Sequence, residues 1–280
     1  MGSTDRRRQG HNGMAHTQLT VQSTRSREVF REASALYARV FGYTSVDHSL
    51  NPKLLSAIVA NGGAAVAATT DNNSLVGFAY GFVGFDGIHP YLYSQAAFID
   101  PDYQSQGIGR LLKQAQRDIA TEAGLTSMRW AFDPLLSRNA HFNLDVLGAR
   151  GVRFEPRYYD ESFSDRLIVD WSFADDADAA DDANGAIVGT AALAEAVPTF
   201  TPDDWGHAVT SGRVIHVPIP ATTPALDPVH IEALRMTLAH TFTHLFARGF
   251  VPVSCVRMDD VTASYRFVAV EQGHAEAAGV

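Results

Sequence analysis

The chain has 280 residues, and 46% of them are apolar, which is enough for a substantial core in one large unit or two small ones. A formal net charge of −9 argues against broad affinity for nucleic acid, whose phosphates require a basic surface. No stretch approaches the roughly 20 apolar residues of a membrane span, and the single cysteine, Cys255, excludes an internal disulfide. We therefore expect a cytoplasmic protein that binds neither nucleic acid nor membrane.

Composition also divides the chain into units. Residues 1–15 have the character of a leader or a disordered tail. Residues 173–185 are aspartates set among alanines without an apolar face, which is typical of a solvated acidic linker. These breaks predict a larger unit over residues 16–172, a smaller one over residues 186–272 and a tail over residues 273–280.

In the larger unit, the hydrophobic pattern predicts the order β-α-α-β-β-β-α-β-α-β-β. The segments "AAVAATT", "SLVGFAYGFVGF" and "PYLYSQAAFID" are separated by turn sequences and predict an antiparallel meander. The fold class is therefore α/β of the mixed α+β kind, with a central mixed, mostly antiparallel sheet flanked by helices.

The helix after the meander is predicted to bury one apolar stripe and to expose the opposite face. The stripe consists of Ile108, Leu111, Leu112, Ala115 and Ile119. Arg110 and Lys113 fall on the opposite face, where they either contact a phosphate or are simply solvated.

The smaller unit is predicted to be α+β, with a helix from about Pro228 to Arg248 between strands, and to pack on the larger unit. His240 and His244 have the spacing of metal ligands on a helix, but they lie opposite its apolar stripe and no third ligand is near. We therefore predict no metal site. Cys255 lies in an apolar run and is expected to be a buried strand residue.

The segment "YQSQGIGRLLKQAQ" places Gly107 and Gly109 where a helix begins after a strand. The first N–H groups of a helix have no partner within it and can bind an anion. Because glycine lacks a Cβ, a pyrophosphate can approach the main chain directly. A Rossmann fingerprint would require glycine at Leu112, and a P-loop would require Gly-Lys-Ser/Thr, which is absent.

These residues carry a resemblance to a known superfamily. Gln104, Ser105, Gln106, Gly107, Ile108 and Gly109 resemble the Gln/Arg-x-x-Gly-x-Gly/Ala signature of the GNAT (GCN5-related N-acetyltransferase) superfamily. In that superfamily, this loop binds the pyrophosphate of an acyl-CoA. The segments "WAFDPLLSRNAHFNLDVLGA", "SDRLIVDW" and "THLFARGFVPV" further resemble a bacterial subfamily of large acyltransferases with a C-terminal extension.

The resemblance implies acetyl-CoA or another acyl-CoA as donor, with succinyl-CoA as one candidate, and no metal. It assigns Phe98, Ile99 and Asp100 to the donor site, with a main-chain N–H of Phe98 or Ile99 for the thioester oxygen. Arg110 is a candidate contact to the phosphates. Asn139 matches the helix asparagine that lies near the pantetheine arm, and Asn143, one turn later, is the alternative.

GNAT chemistry is attack of a neutral amine on a thioester, which requires a base for the amine and an acid for the thiolate. Many members carry a tyrosine where this chain has Val146, so Tyr158, or alternatively Tyr159, on the following strand is the candidate acid. Asp133 and His141 are the candidate bases, and a water chain is the alternative to both. Asp133 is otherwise expected to cap the next helix.

The predicted acceptor is the amine of a small molecule or amino acid. Arg138 and Arg166 are candidates for binding a carboxylate, because a guanidinium can donate two parallel hydrogen bonds. Arg166 precedes an apolar strand and is otherwise expected to form a structural ion pair. The smaller unit is expected to complete the acceptor pocket or to form a homodimer. An acyl-CoA-binding or sensing protein with this fold is the alternative function, motivated by the absence of the helix tyrosine.

Overall fold

The computed structural model of the protein describes residues 19–45, 49–173, 198–222 and 227–270. The expected N-terminal leader, the acidic linker beyond Phe173 and the C-terminal tail lie outside the described residues.

The larger sheet has seven strands in the order β1-β2-β3-β4-β5-β7-β6. They are β1 Leu19–Ser23, β2 Ala64–Thr70, β3 Leu75–Phe85, β4 Pro90–Ile99, β5 Ser127–Phe132, β6 Arg150–Glu155 and β7 Arg166–Ser172. The one parallel pair in this sheet is β4 with β5. The predicted antiparallel meander is confirmed as β2, β3 and β4.

Four helices and a π-helical turn accompany this sheet. They are α1 Arg27–Phe41, α2 Pro52–Ala60, α3 Ile108–Glu122, α4 Ser137–His141 and the π-helical turn Phe142–Val146. Alternation along β2 shows how the layers form: Ala65 and Ala67 pack with α1 and α2, whereas Val66 and Ala68 pack with α3. Helices therefore cover both faces of a mostly antiparallel sheet, which confirms the predicted fold class and element order.

The C-terminal region forms a second sheet of four antiparallel strands in the order β10-β11-β9-β8. Its elements are β8 Val209–Ser211, β9 Val214–Pro220, α5 Pro228–Ala247, β10 Phe250–Arg257 and β11 Thr262–Ala269. The short strand β8 is not predicted by the sequence. Cys255 is fully buried in β10 as expected, and His240 and His244 lie exposed on α5.

Both sheets share one hydrophobic core, in which Trp130 and Leu144 of the first part join Ile219, Phe242 and Tyr265 of the second. The C-terminal region therefore packs directly on the larger unit. Among the described helices, none combines the length and the apolar character that a membrane crossing requires.

The apolar stripe predicted for α3 is wrong in part. Leu111 is 48% exposed, whereas Lys113 is only 5% exposed and faces the sheet. The buried face also includes Gln116, which is fully buried. A polar side chain that pairs in the interior is invisible to hydrophobic periodicity, and this is why the predicted face is rotated.

Candidate active site

The glycine loop joins the end of β4 to the start of α3. Gly107 precedes the helix with φ of 81° and makes no side-chain cap, and Ser105 also has a left-handed φ of 63°. Within the described chain, the N–H groups of Ile108 and Gly109 donate no hydrogen bond. The positive end of a 15-residue helix is thus open to solvent, which favours binding of an anion.

The two glycines have different structural causes. Gly107 needs its left-handed φ, which other residues adopt only with strain. Gly109 has a right-handed backbone, and a Cβ there would lie 3.5 Å from Ile99 Cδ1 and 3.6 Å from Phe142 Cζ, which is ordinary van der Waals contact. The fold itself therefore does not require glycine at position 109.

Polar side chains surround this loop. Arg138 of α4 donates a hydrogen bond of 2.7 Å to the Ser105 hydroxyl, so the guanidinium lies beside the open helix end. Arg110 is exposed on α3, and Gln104 donates to the carbonyl of Ile99. Asn139, next to Arg138, is exposed. The loop is therefore flanked by two cations that can approach an anion bound there.

The strands β4 and β5 separate beside the loop. Their pairing is limited to Leu92 with Met128 and Tyr93 with Arg129. Where they begin to diverge, β4 contains a bulge, because the register with β3 shifts between Tyr80 and Gly81. The edge of β4 after this bulge is not paired with β5.

The N–H groups that β4 presents at this open edge follow from strand alternation. Asp100 donates to Val76 of β3, so Phe98, two residues earlier, also directs its N–H toward β3. Ile99 and Ala97 direct theirs toward the gap. Of the two donors predicted from the sequence, Ile99 is therefore the one available to a ligand, and Ala97 is a donor that sequence reasoning missed.

A buried polar cluster closes the apex of the gap between β4 and β5. Lys113 Nζ donates to the Ser94 hydroxyl over 2.9 Å and lies 3.8 Å from the centroid of the Trp130 ring. The Ser94 hydroxyl in turn donates to Gln116 Oε1 over 2.8 Å. Burial lowers the pKa of the Lys113 ammonium from 10.5 to about 7. Lys113 thus bridges the two strands at the point where they part.

Asn143 and Asn139 differ in their surroundings. Asn143 is buried and its Oδ1 accepts a 3.0 Å hydrogen bond from Trp130 Nε1, which fixes that ring. Because Asn143 is engaged inside the core, Asn139 is the asparagine that remains accessible at the loop. Val146, at the position of the tyrosine that the resemblance leads one to expect, is 39% exposed.

The candidate acid Tyr158 lies in a turn after β6, not on a strand as predicted, because β6 ends at Glu155. Its hydroxyl is 3.1 Å from the hydroxyl of Tyr93 on β4, next to the start of the gap. Burial, followed by the hydrogen bond to Tyr158, raises the pKa of the Tyr93 phenol above its ordinary value. The two phenols form a hydrogen-bonded pair that the sequence does not predict.

The candidate bases are both engaged by the C-terminal region. Both carboxylate oxygens of Asp133 accept hydrogen bonds from the Arg235 guanidinium, at 3.0 and 2.6 Å. Asp133 does not cap α4, whose N-cap is Leu136. The Nδ1 atom of His141 lies 3.2 Å from Asp145 Oδ2 and 3.0 Å from the carbonyl of Cys255. The carboxylate of Asp133 is therefore held by Arg235, whereas only the Nδ1 side of His141 is engaged and its Nε2 can still accept a proton.

Comparison with known proteins agrees with this geometry. The family model described as the acetyltransferase (GNAT) family matches residues 30–142, which is less than half of the chain. No curated protein matches. No group of three or more His, Cys, Asp or Glu side chains suited to a metal occurs within the described ranges.

Solved structures similar to this chain include the ribosomal-protein-S18-alanine N-acetyltransferase from Escherichia coli, with 18% identity, 55% of this chain and 94% of that chain covered, and a TM-score of 0.46. Naa50 from Arabidopsis thaliana, in complex with a bisubstrate analogue, has 16% identity, covers 55% of this chain and 99% of its own, and has a TM-score of 0.45. An aminoglycoside acetyltransferase from an uncultured soil metagenomic sample is 21% identical, and the match covers 44% of this chain and 84% of that chain with a TM-score of 0.39. Residues 30–142 therefore match the acetyltransferase (GNAT) family, and we call this part of the chain the acetyltransferase domain.

Proposed function

We propose that the protein transfers an acyl group from an acyl-CoA to the amine of a small molecule or amino acid. One observation carries this proposal: the open N–H groups of Ile108 and Gly109 lie at the end of the same strand whose Ile99 and Ala97 face an unpaired gap. The N–H groups at the start of the helix suit a pyrophosphate, and the N–H groups of the strand suit an extended arm that carries amide groups.

The proposed binding mode assigns the pyrophosphate to residues 104–109, with Arg138 and Arg110 as the cations and Asn139 beside them. Phe98, Ile99 and Asp100 border the arm, and the N–H groups of Ile99 and Ala97 donate to its carbonyl groups, including the thioester oxygen. Those donors are held in place by the sheet, so they stabilise the developing oxyanion without reorganising.

In the proposed reaction, the amine nitrogen attacks the thioester carbon, the C–N bond forms and the C–S bond breaks. The amine proton passes to water or to Nε2 of His141, since the carboxylate of Asp133 is held by Arg235. The CoA thiolate takes a proton from Tyr158, whose contact with Tyr93 orients the phenol. Acetyl-CoA and succinyl-CoA are the donors to be tested.

Calorimetry tests the binding step by titrating CoA into the wild-type protein and into two variants at position 109. We expect Gly109→Ala to retain affinity, because its Cβ fits the surrounding contacts and alanine favours the helix by about 1 kcal/mol. Gly109→Leu should weaken binding about tenfold or more, which corresponds to about 1.4 kcal/mol. Wild-type protein that takes up no CoA would refute the proposal.

A second function is favoured by Val146, which leaves the α4 region without a phenol. An acyl-CoA-binding or sensing protein would bind CoA and acyl-CoA but release no thiol. Thiol release from acetyl-CoA and succinyl-CoA, measured against a pool of amines and short peptides, separates the two functions.

A further inference from the structure

A group of aromatic rings lies on the α1 face of the sheet, next to the donor strand. The ring of Tyr37 of α1 lies 5.1 Å from Phe98 and 5.6 Å from Tyr43 between centroids. Phe41 lies 4.7 Å from Tyr37. Phe98 directly precedes Ile99, so these rings flank the segment of β4 that faces the gap.

The turn between β6 and β7 brings two further tyrosines over the same face. The ring of Tyr159 packs edge-on against Tyr158 at 4.9 Å. Burial first, and then the phenols of Tyr37 and Tyr159, raise the pKa of Tyr80 on β3 to about 12. The hydroxyl of Tyr158 lies 3.1 Å from that of Tyr93, and the Tyr93 ring lies 5.3 Å from that of Phe82 on β3. Phe82 shares the face of Tyr80 by strand alternation, so the turn tyrosines lie over the same face as Tyr80. We call Tyr37, Tyr43, Tyr80, Tyr93, Tyr158 and Tyr159 the tyrosine wall.

Part of this aromatic surface is left in water. Tyr159 is 49% exposed, Phe41 is 46% exposed and Tyr43 is 37% exposed. Exposed apolar area costs about 25 cal/mol per Å² relative to burial, so a packed core would cover such rings. Clustered exposed rings next to a candidate reaction centre are typical of a binding surface.

A cation lies at the edge of the same space. The Arg166 guanidinium, on the first residue of β7, is 5.2 Å from the centroid of the Tyr159 ring. Its hydrogen bond goes to the carbonyl of Asp165, and no carboxylate of the described residues lies within ion-pair distance of it. A half-buried guanidinium without an anionic partner can still accept a carboxylate.

We propose that the acceptor is an aromatic amino acid, held with its ring against the tyrosine wall and its carboxylate on Arg166. This inference rests on the proposed function and specifies its substrate class. Aromatic pairs contribute about 0.5–1.5 kcal/mol beyond their buried area, and a guanidinium orients a carboxylate through two bonds. With ring and carboxylate both fixed, the amino group is the part of the acceptor left to meet the thioester.

The test compares acceptors in a thiol-release assay with acetyl-CoA and with succinyl-CoA. Phenylalanine, tyrosine and tryptophan, each in both enantiomers, should give kcat/KM values several-fold to about tenfold above those of alanine and leucine, as expected from one aromatic contact. Phenethylamine and tyramine, which lack the carboxylate, should be at least about tenfold poorer than their parent amino acids.

Variants link these preferences to the residues. Arg166→Gln should raise the KM for phenylalanine about tenfold or more and leave that for phenethylamine unchanged. Arg248→Gln, which removes an exposed arginine at the end of α5, is the control and should change neither. Tyr159→Ala should raise the KM for phenylalanine more than Tyr159→Phe does, because the latter keeps the ring.

The outcomes separate this inference from the proposed function. If the protein binds CoA and acylates aliphatic amino acids or polyamines as well as it does phenylalanine, the aromatic acceptor is wrong while the acyltransferase stands. Equal effects of Arg166→Gln on phenylalanine and phenethylamine would also overturn it. If CoA does not bind, the proposed function itself fails. Calorimetric binding of phenylalanine to the CoA-loaded protein, lost in Arg166→Gln, would support the inference independently of turnover.

Discussion

Lys113 shows how one buried side chain can set the pH dependence of the whole fold. The pKa of its ammonium is lowered to about 7 by burial, whereas the unfolded chain retains the ordinary value of 10.5. Between these two values the unfolded chain binds a proton that the folded chain does not. Stability from this group therefore rises with pH across that window and is constant below it.

We predict that Lys113→Met raises the free energy of unfolding at neutral pH and flattens its rise toward alkaline pH. For one proton, the lost slope is up to about 1.4 kcal/mol per pH unit. Urea unfolding at several pH values between 7 and 10.5 measures it. Lys53→Met, at an exposed position on α2, is the control and should leave the slope unchanged. An identical slope in Lys113→Met would contradict the predicted cause.

Alternate residues of the strand β4 direct their N–H groups to opposite sides. One set of N–H groups bonds to β3, and the other set faces the gap beside β5. Ala97 belongs to the second set and is exposed, while Ala96, which pairs with Tyr80, belongs to the first. Side-chain chemistry is the same at both positions, so only the direction of the main chain distinguishes them.

We therefore predict opposite results from proline at these two neighbours. Ala97→Pro removes an N–H that the sheet does not use, so the protein should fold but lose acyl transfer by about tenfold or more, as for loss of an oxyanion donor. Ala96→Pro removes a ladder hydrogen bond and should lower the unfolding midpoint much further. Thermal unfolding together with thiol release checks both variants. Full activity in Ala97→Pro would show that the gap is not the acyl site.

At the scale of the elements, the sequence predicts where helices and strands lie, but it does not predict which N–H groups and side chains they direct toward the site. Local periodicity and turn residues predict the meander and the glycine loop, because these depend on neighbours in the chain. The direction of the N–H of Ile99, the phenol pair of Tyr93 and Tyr158, and the burial of Lys113 depend on register and long-range packing. The turn carrying Tyr158 was predicted as strand for the same reason.

Across the whole molecule, the C-terminal region is tied to the acetyltransferase domain by polar contacts as well as by the shared core. The Tyr265 hydroxyl donates to the carbonyl of Pro134 over 2.7 Å. Gly151 approaches Pro252 so closely that a Cβ there would lie 2.4 Å from Pro252 Cγ. The first of these contacts lies just beyond the end of β5. The expectation that this region forms a homodimer stays a prediction.

The Asp133–Arg235 pair is the most buried ion pair in this contact, with side chains 17% and 14% exposed. Arg235→Met should destabilise the protein by about 3 kcal/mol, because it leaves the Asp133 carboxylate without its partner. Adding Asp133→Asn should recover part of this loss, since the uncompensated charge is removed. Urea unfolding of the two single variants and the double variant gives the coupling. Additive losses would mean that the pair contributes no coupling.

Because Trp130, Leu144 and Leu167 lie in the same core as Phe242 and Tyr265, we predict that the first part of the chain does not fold without the second. A chain ending at Phe173 would expose apolar area that the C-terminal region covers, so it should be insoluble or lack a cooperative thermal transition. The full chain should instead unfold in a single transition by circular dichroism and by calorimetry. Co-expression of residues 174–280 as a separate chain should restore a soluble complex. A shortened chain that unfolds cooperatively alone would show that the shared core is an interface between two independent domains.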